Sequence, residues 1–259
     1  NNNEDNNNTN TFIRKRKGKI MKNVKGLVLA AILMVSGTSV MTAQDKVEAT
    51  VAADVVSDYV WRGINCGHAA FQPTLGLSYT GLSLTGWGSV GIVNSDDTKE
   101  FDLTLAYTTG GFNIGITDYW FNAGGDPEGR YFAYSAHSTN HVFEANIGYD
   151  FGPLSLQWFT NFSGNDYKAD GDRAFSSYVE VAAPFKLGGL DWNAAVGAVP
   201  FKDSGVYGAC SKFAVTNVSL KATKDVKITD SFSLPVFAQV VGNPHDQKAY
   251  LVCGFTLIP

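Results

Sequence analysis

The stretch EFDLTLAYTTGGFNIGITDYW, residues 100–120, decides the fold of this chain. Apolar and polar residues alternate with a period of two on both sides of Gly110-Gly111, as in β-strands with one apolar and one polar face. If these glycines form a hairpin turn, Tyr107 faces Ile114 and apolar residues meet along the whole pair. A register slip of one residue would place every apolar side chain on the polar face, so the agreement between the two strands predicts an antiparallel hairpin.

The same test succeeds at three other short turns, which are centred on Thr80-Gly81, Gly152-Pro153 and Gly188-Gly189. The facing pairs predicted at the four turns include Phe101–Trp120, Leu105–Ile116, Tyr79–Leu82, Leu77–Leu84, Phe151–Leu154, Ile147–Trp158, Phe143–Phe162, Phe185–Trp192 and Val181–Val196. Proline restricts the residue before it, so the turn at Gly152-Pro153 is expected to be wider but to keep the same facing.

Further alternating segments bring the expected number of strands to twelve, namely Val47–Arg62, Ala214–Thr223, Ser231–Val241 and Gln247–Ile258. Long connections are expected near residues 63–70, 94–98, 122–140, 164–173, 202–212 and 242–247, and short turns near 80, 110, 152, 188 and 224–230. This pattern is typical of an all-β fold, the transmembrane up-and-down antiparallel β-barrel, which has short periplasmic turns and longer extracellular loops. A soluble sandwich or lipocalin-like barrel also alternates and is the alternative.

Aromatic residues gather at both ends of the predicted strands. Those by the short turns are Tyr79, Tyr107, Tyr149, Phe151 and Phe185, and those by the long loops are Tyr59, Trp61, Trp120, Phe121, Phe162 and Phe201. Two such levels about one strand length apart are typical of rings anchored at the lipid headgroups. A soluble sandwich would instead concentrate these rings in mid-strand.

The first 43 residues differ in composition from the rest. Residues 1–20, rich in asparagine and basic residues, are expected to be a disordered extension outside the natural protein, the alternative being a basic arm for nucleic acid. Residues 21–43 have the basic start, apolar run and small residues of a secretory signal peptide cleaved after Ala43. The barrel is then 44–259. Removing seven of 20 basic and two of 24 acidic residues leaves 13 and 22, a net charge of −9 that argues against nucleic acid as a partner.

The polar faces of these strands would line an enclosed interior with more acid than base. The lumen-lining candidates are Asp54, Asp58, Arg62, Glu100, Asp102, Glu144, Asn146, Gln157, Asn161, Tyr178, Glu180 and Lys221. Arg62 is expected to face Asp54 and Asp58 at the barrel mouth.

Two functions fit such an interior. Rings of carboxylates favour cations, which indicates a narrow channel for passive diffusion of small polar or cationic solutes. Small barrels also fill their interiors with side chains, so the alternative is a non-conducting structural or surface-binding barrel whose loops 122–140 and 202–212 carry recognition.

The cysteines leave two possibilities open. Cys66 and Cys210 fall in long loops expected on the same side, where they either form a disulfide or remain inert thiols. Cys253 lies in the last strand and is expected to be a free thiol.

No catalytic residue, metal site or cofactor is predicted. His137 and His141 are the only histidines near plausible serines, and no G-x-S-x-G sequence occurs. The same histidines, with Asp126 and Glu128, are spaced to bind a metal, but an ordinary polar loop explains them more simply.

Four motifs carry a family resemblance: SDYVWRG at 57–63, FQP at 71–73, DYW at 118–120 and GYDFG at 148–152. The chain resembles the TorF-like porin family of Gram-negative bacteria, in particular its Bacteroidetes members, over nearly all of 47–258. The resemblance implies an exported outer-membrane protein that contacts outer-membrane lipid and, during insertion, the barrel assembly machinery. The ending LIP at 257–259 departs from the terminal aromatic residue that is usual in such barrels.

Overall fold

β-Strands dominate residues 46–94, 96–123 and 125–258, which are the residues that this computed structural model describes. The strands in these residues are β1 (Glu48–Val56), β2 (Tyr59–Trp61), β3 (Ile64–Gly67), β4 (Ala70–Tyr79), β5 (Leu82–Gly91), β6 (Glu100–Thr109), β7 (Phe112–Phe121), β8 (His141–Asp150), β9 (Ser155–Gly164), β10 (Ser177–Leu187), β11 (Leu190–Val199), β12 (Ala214–Lys227), β13 (Ser233–Asn243) and β14 (Lys248–Leu257). Within the same ranges, no helix has the length and apolar character needed to cross a bilayer. The predicted signal peptide and N-terminal extension lie outside the described residues.

Twelve of the described strands close into one barrel. From β4 to β14 each strand pairs with the next, and β1 completes the circle by pairing with both β4 and β14. All these pairings are antiparallel, and β1 forms nine residue pairs with β4 but only four with β14. Closure leaves the barrel itself without a free sheet edge. The predicted closed, up-and-down, twelve-stranded antiparallel barrel is therefore confirmed.

The registers predicted from the short turns are largely confirmed. Tyr107 pairs with Ile114 across β6 and β7, and the pairs predicted at the turns after β4 and β10 match as well. The turn after β8 is wider, as expected, and closes with a hydrogen bond from Phe151 N to Leu154 O of 2.9 Å. The last short turn covers only 228–232, because β12 continues its pairing with β13 as far as Lys227.

One predicted pair between β8 and β9 is wrong. Phe143 pairs with Ser163 and not with Phe162, because a β-bulge shifts the register between Phe143 and Glu144. Glu144 consequently pairs with Asn161. The bulge allows these two polar side chains to share the inner face while Phe162 remains exposed on the outside.

Burial in this barrel is the inverse of that in a soluble protein. Leu105 and Ile116 on the outer face are 51% and 47% exposed, whereas Glu100, Asp102 and Glu144 on the inner face are 8%, 7% and 2% exposed. Soluble proteins seldom leave so much contiguous apolar surface uncovered. The soluble-sandwich alternative is wrong, because the apolar faces are not packed against one another.

The first predicted strand is wrong in its second half. The wall strand β1 ends at Val56, and the chain then turns into the barrel as an inner hairpin, residues 57–69, built from β2 and β3. Residues 57–62, which include Asp58, Tyr59, Trp61 and Arg62, therefore leave the wall. A strand covering 47–62 is longer than the roughly 9–11 residues that a β-strand needs to cross a bilayer. The length of this segment was therefore a sign, visible in the sequence, that the strand ends earlier.

Candidate functional site

The inner hairpin ends in a two-residue turn formed by Arg62 and Gly63. Trp61 pairs with Ile64 across it, and the two central residues have φ angles of 50° and 84°. Positive φ at both positions is the type I′ pattern, which suits the twist of a hairpin. A non-glycine residue held there costs about 1–3 kcal/mol, so the surroundings must hold Arg62 in place.

The hairpin crosses the lumen from one wall to the other. The chain leaves the barrel wall after β1. In the closed barrel β9 is the sixth strand from β1 in either direction, so these two strands lie on opposite walls. Twelve strands spaced about 4.8 Å apart and tilted by about 40° enclose a backbone diameter of roughly 24 Å. The six residues from Val56 to Arg62 extend about 20 Å, which brings the Arg62 side chain to the opposite wall.

Arg62 binds Glu144 of β8 at that wall. The two side chains make hydrogen bonds of 2.5 Å and 3.2 Å, and they are only 10% and 2% exposed. The Glu144 carboxylate also accepts hydrogen bonds from Tyr119 Oη, at 2.9 Å, and from Tyr207 Oη. A buried carboxylate is tolerated only when it is paired in this way.

Aromatic rings surround the guanidinium group of Arg62. Its central carbon lies 3.9 Å from the ring centroid of Phe159, 4.4 Å from Trp61, 4.7 Å from Tyr178 and 5.2 Å from Tyr207. Cation–π contacts are strongest where water is excluded, as it is here. Tyr207 belongs to the loop between β11 and β12, which therefore also folds inward.

The other side of the hairpin tip docks on β12 and β13. A Cβ atom at Gly63 would overlap the carbonyl oxygen of Thr216, and Asn243 Nδ2 donates to Gly63 O at 3.1 Å. Glycine is required here both for its positive φ and for this close approach.

Ten of the twelve predicted lumen residues lie on the inner face of the barrel wall: Asp54, Glu100, Asp102, Glu144, Asn146, Gln157, Asn161, Tyr178, Glu180 and Lys221. The other two, Asp58 and Arg62, belong to the inner hairpin. The predicted pairing of Arg62 with Asp54 and Asp58 is wrong, because the inward turn carries Arg62 to Glu144. Asp54 instead accepts a hydrogen bond of 2.5 Å from Thr256 of β14.

The remaining inner-face charges are partnered unequally. Glu180 accepts hydrogen bonds from Tyr178 at 2.7 Å and from Asn217 at 3.2 Å. The Lys221 ammonium lies 4.0 Å above the ring of Phe237. Glu100 accepts one hydrogen bond, from Tyr59 of the hairpin, and no Lys or Arg in the described residues forms an ion pair with Glu100 or Asp102.

A second contact links two loops at the mouth of the barrel. His68 Nδ1 hydrogen-bonds to Asp97 Oδ1 at 3.0 Å, and the His68 backbone N–H donates to Asp97 Oδ2 at 3.0 Å. The hydrogen bond to Asp97 raises the pKa of His68 above its ordinary value, and the same bond lowers the pKa of Asp97. The contact lies in water at the loop end and is sensitive to pH.

The cysteines of the described residues form no disulfide, and His141 is held by hydrogen bonds. Cys66 and Cys210 are free thiols, so the disulfide alternative is wrong, and burial raises the pKa of Cys66 to about 12. His141 is buried and hydrogen-bonds to Asp118 at 2.7 Å, while Asp126 binds an arginine. No group of three or more potential metal ligands occurs in the described ranges, which leaves the metal alternative without support.

Sequence reasoning missed Phe159, Tyr119 and Tyr207, which contact Arg62 or Glu144. Tyr119 was open to prediction, because it alternates with the outward Trp120 and so falls on the polar face of β7. Tyr207 carries no such signal. It is a loop residue in a segment without periodicity, and only the folded loop brings it to Glu144.

Comparison with known proteins identifies no family for this chain. No protein family and no curated protein sequence matches it. Solved structures resemble it weakly: a chain from a study of the in-meso crystallization of membrane proteins (TM-score 0.44, 7% identity, 82% of this chain and 83% of that chain covered), Salmonella typhi OmpF in complex with daunomycin (0.34, 9%, 82% and 96%) and an outer membrane channel from Pseudomonas putida F1 (0.34, 12%, 85% and 97%). Similarity at this level assigns no function.

Proposed function

We propose that this chain is an outer-membrane channel for passive diffusion of small solutes, and that the inner hairpin forms its narrowest level. The observation that carries the proposal is the inversion of the barrel. Its outside is apolar and its inside is polar and charged, and a hairpin held by a buried ion pair crosses the interior. An apolar outer band around a polar lumen is the arrangement that a lipid bilayer stabilises.

In this proposal lipid covers the outer face, the short turns face the periplasm and the long loops face the exterior. The resemblance of the four sequence motifs to the TorF-like porins of Gram-negative bacteria points the same way. The cleaved signal peptide at 21–43 and the assembly machinery remain predictions from the sequence. The proposal includes neither a catalytic step nor a cofactor.

The size of the barrel sets the expected conductance. Inward side chains take up about 5 Å on each side of a backbone diameter of roughly 24 Å, which leaves about 14 Å. A hairpin with its own side chains is about 10 Å thick, so it fills most of that width. We therefore expect small unit conductance while the hairpin is docked.

The charge of the inner face sets the expected selectivity. Among the predicted lumen residues on the wall and the hairpin tip, five are acidic and two are basic: Asp54, Glu100, Asp102, Glu144 and Glu180 against Arg62 and Lys221. Carboxylates along a pore attract cations. The channel is proposed to prefer cations weakly, because Arg62 and Lys221 offset part of the negative charge.

Planar-bilayer recordings test both statements. The purified, refolded protein is expected to give discrete small conductance steps and a cation-biased reversal potential. Neutralising three lumen carboxylates together, as E100Q/D102N/E180Q, should weaken the cation preference. Glu144 stays unchanged in this variant, because its loss would also free Arg62.

A control variant removes the same number of charges from exposed loops, as E128Q/D170N/D230N, and should keep the selectivity of the natural sequence. Equal selectivity in the lumen variant and the control would contradict the assignment of an acidic lumen.

A non-conducting structural or surface-binding barrel is the second candidate. The observation in its favour is that Glu144, Tyr178 and Tyr207 are fully or almost fully buried around Arg62, so the lumen is sealed at that level. Loop 202–212 folds inward here, which leaves loop 122–140 with its 85% exposed Phe132 as the recognition element. Recording from the natural sequence beside a variant with residues 57–69 replaced by a short turn separates the two. Discrete steps in the natural sequence would support the channel, whereas conduction seen only in the variant would favour the second candidate.

A further inference from the structure

We propose that Glu100 and Asp102, together with the aromatic rings beside them, form a binding site for a small organic ammonium ion inside the barrel. The inference rests on the proposed function, because it names the class of solute that the lumen takes. Its two carboxylates are distinct from the Arg62–Glu144 pair, and Tyr119 lies between the two groups.

The two carboxyl groups lie close together and out of bulk water. Glu100 and Asp102 are two residues apart on β6, both point inward, and they are 8% and 7% exposed. Side chains two residues apart on a strand project from the same face, so the two carboxyl groups are neighbours on the inner face. Two carboxylates this close in a buried site repel unless a proton or a cation lies with them.

Asp102 has an acceptor atom that the fold leaves unused. Its Oδ1 atom is buried and has no hydrogen-bond partner among the described residues. A buried acceptor without a partner costs free energy, and nearly all such atoms in folded proteins are paired. The protein's own cation in this region, Arg62, is already bound to Glu144.

Aromatic rings lie on both sides of this acidic pair. Trp87 of β5 and Tyr119 of β7 are the cross-strand neighbours of Asp102, so all three share the inner face. Tyr59 of the inner hairpin packs against Trp87 with 5.6 Å between ring centroids and donates to Glu100 at 2.9 Å. Carboxylates beside aromatic faces are the chemistry that recognises ammonium groups.

A metal ion fits this site less well than an organic cation. Calcium takes six to eight oxygen ligands and magnesium six, but no cluster of three or more metal-binding side chains is found in residues 46–94, 96–123 and 125–258. An alkylammonium of two or three carbons needs only a few acceptors. Its N–H groups would donate to Glu100 and Asp102, and its carbons would contact Trp87 and Tyr59.

Isothermal titration calorimetry with ethylammonium chloride tests the site on the refolded, detergent-solubilised barrel at pH 7.5 and constant ionic strength. We expect saturable binding to one site and no binding of ethanol, the uncharged counterpart. D102N should weaken binding about tenfold or more, because it removes a charge-assisted hydrogen bond. E100Q is the second variant, should D102N fail to fold.

The control is D170N, which removes one carboxylate from an exposed turn between β9 and β10, and it should bind as the natural sequence does. A folded barrel that takes up no ethylammonium would overturn the inference and indicate a shared proton between Glu100 and Asp102. Equal competition by potassium would overturn the assignment to an organic cation. Calorimetry does not depend on conduction, so the two proposals can fail separately. A barrel that binds ethylammonium but gives no current in a bilayer would contradict only the proposed channel. A barrel that conducts but does not bind ethylammonium would contradict only this binding site.

Discussion

The Arg62–Glu144 ion pair is expected to be the contact that keeps the inner hairpin docked. A double-mutant cycle of R62M, E144Q and the combined variant tests this expectation. Removing one partner of a buried ion pair leaves the other charge unpaired and typically costs about 3–5 kcal/mol. Both side chains are at least nine-tenths buried, so little of this cost is relieved by water. The two changes should be strongly non-additive, with a coupling energy of about 2 kcal/mol or more.

The same cost predicts the effect on conduction. A loss of about 3 kcal/mol shifts a docking equilibrium roughly 150-fold. A hairpin that is docked 99% of the time would then be undocked more often than it is docked. R62M should therefore show frequent larger conductance steps, whereas the natural sequence shows them rarely.

Two measurements check this prediction. Urea unfolding in detergent, followed by tryptophan fluorescence, gives the four free energies of the cycle, and single-channel recording gives the fraction of time in the larger conductance state. The control pair is Lys227–Asp230, an ion pair in the exposed turn after β12, and K227M/D230N should leave both readouts unchanged. Additive effects of R62M and E144Q, with conductance traces that match those of the control, would show that Arg62 does not hold the hairpin.

Three further predictions concern other parts of the barrel. G63A should undock the hairpin and raise conductance, because its new Cβ atom would overlap Thr216 O of β12. The control G152A has a similar positive φ of 91° and nothing within 4 Å of its Cβ position, so it should cost only backbone strain. Equal conductance changes in the two variants would contradict the docking of Gly63 on β12. The hydrogen bond between His68 and Asp97 should stabilise the mouth of the barrel fully at pH values below the ordinary pKa of His68. This stabilisation should be lost as the pH rises through the raised pKa of His68 in the folded protein. NMR titration should show a lower His68 pKa in D97N, and an unchanged pKa would refute the contact. L105R should cost about 2–4 kcal/mol in lipid bilayers, as an arginine at the bilayer midplane does, and a negligible cost would argue that Leu105 does not face lipid.

Local patterns in the sequence were enough to predict the wall of the barrel. Tyr107 faces Ile114 because a two-residue turn and a period of two are properties of neighbouring residues, and no distant contact is needed to set them. The inward direction of Glu100, Asp102 and Glu180 follows from the same alternation. Where a bulge interrupts the alternation, as at Phe143, the prediction failed, because the sequence does not mark the extra residue.

The sequence by itself therefore determined the strands, the turns that join them and which face of each strand is polar, because these depend on residues close along the chain. Only the tertiary structure decided what fills the barrel. The glutamate that binds Arg62 lies 82 residues away along the chain, and Tyr207 approaches from a loop without periodicity. Such contacts exist only after the barrel has closed and brought its opposite walls within reach of one hairpin. The alternation of residues therefore predicted Arg62 at the end of a wall strand, whereas in the folded chain Arg62 lies across the lumen.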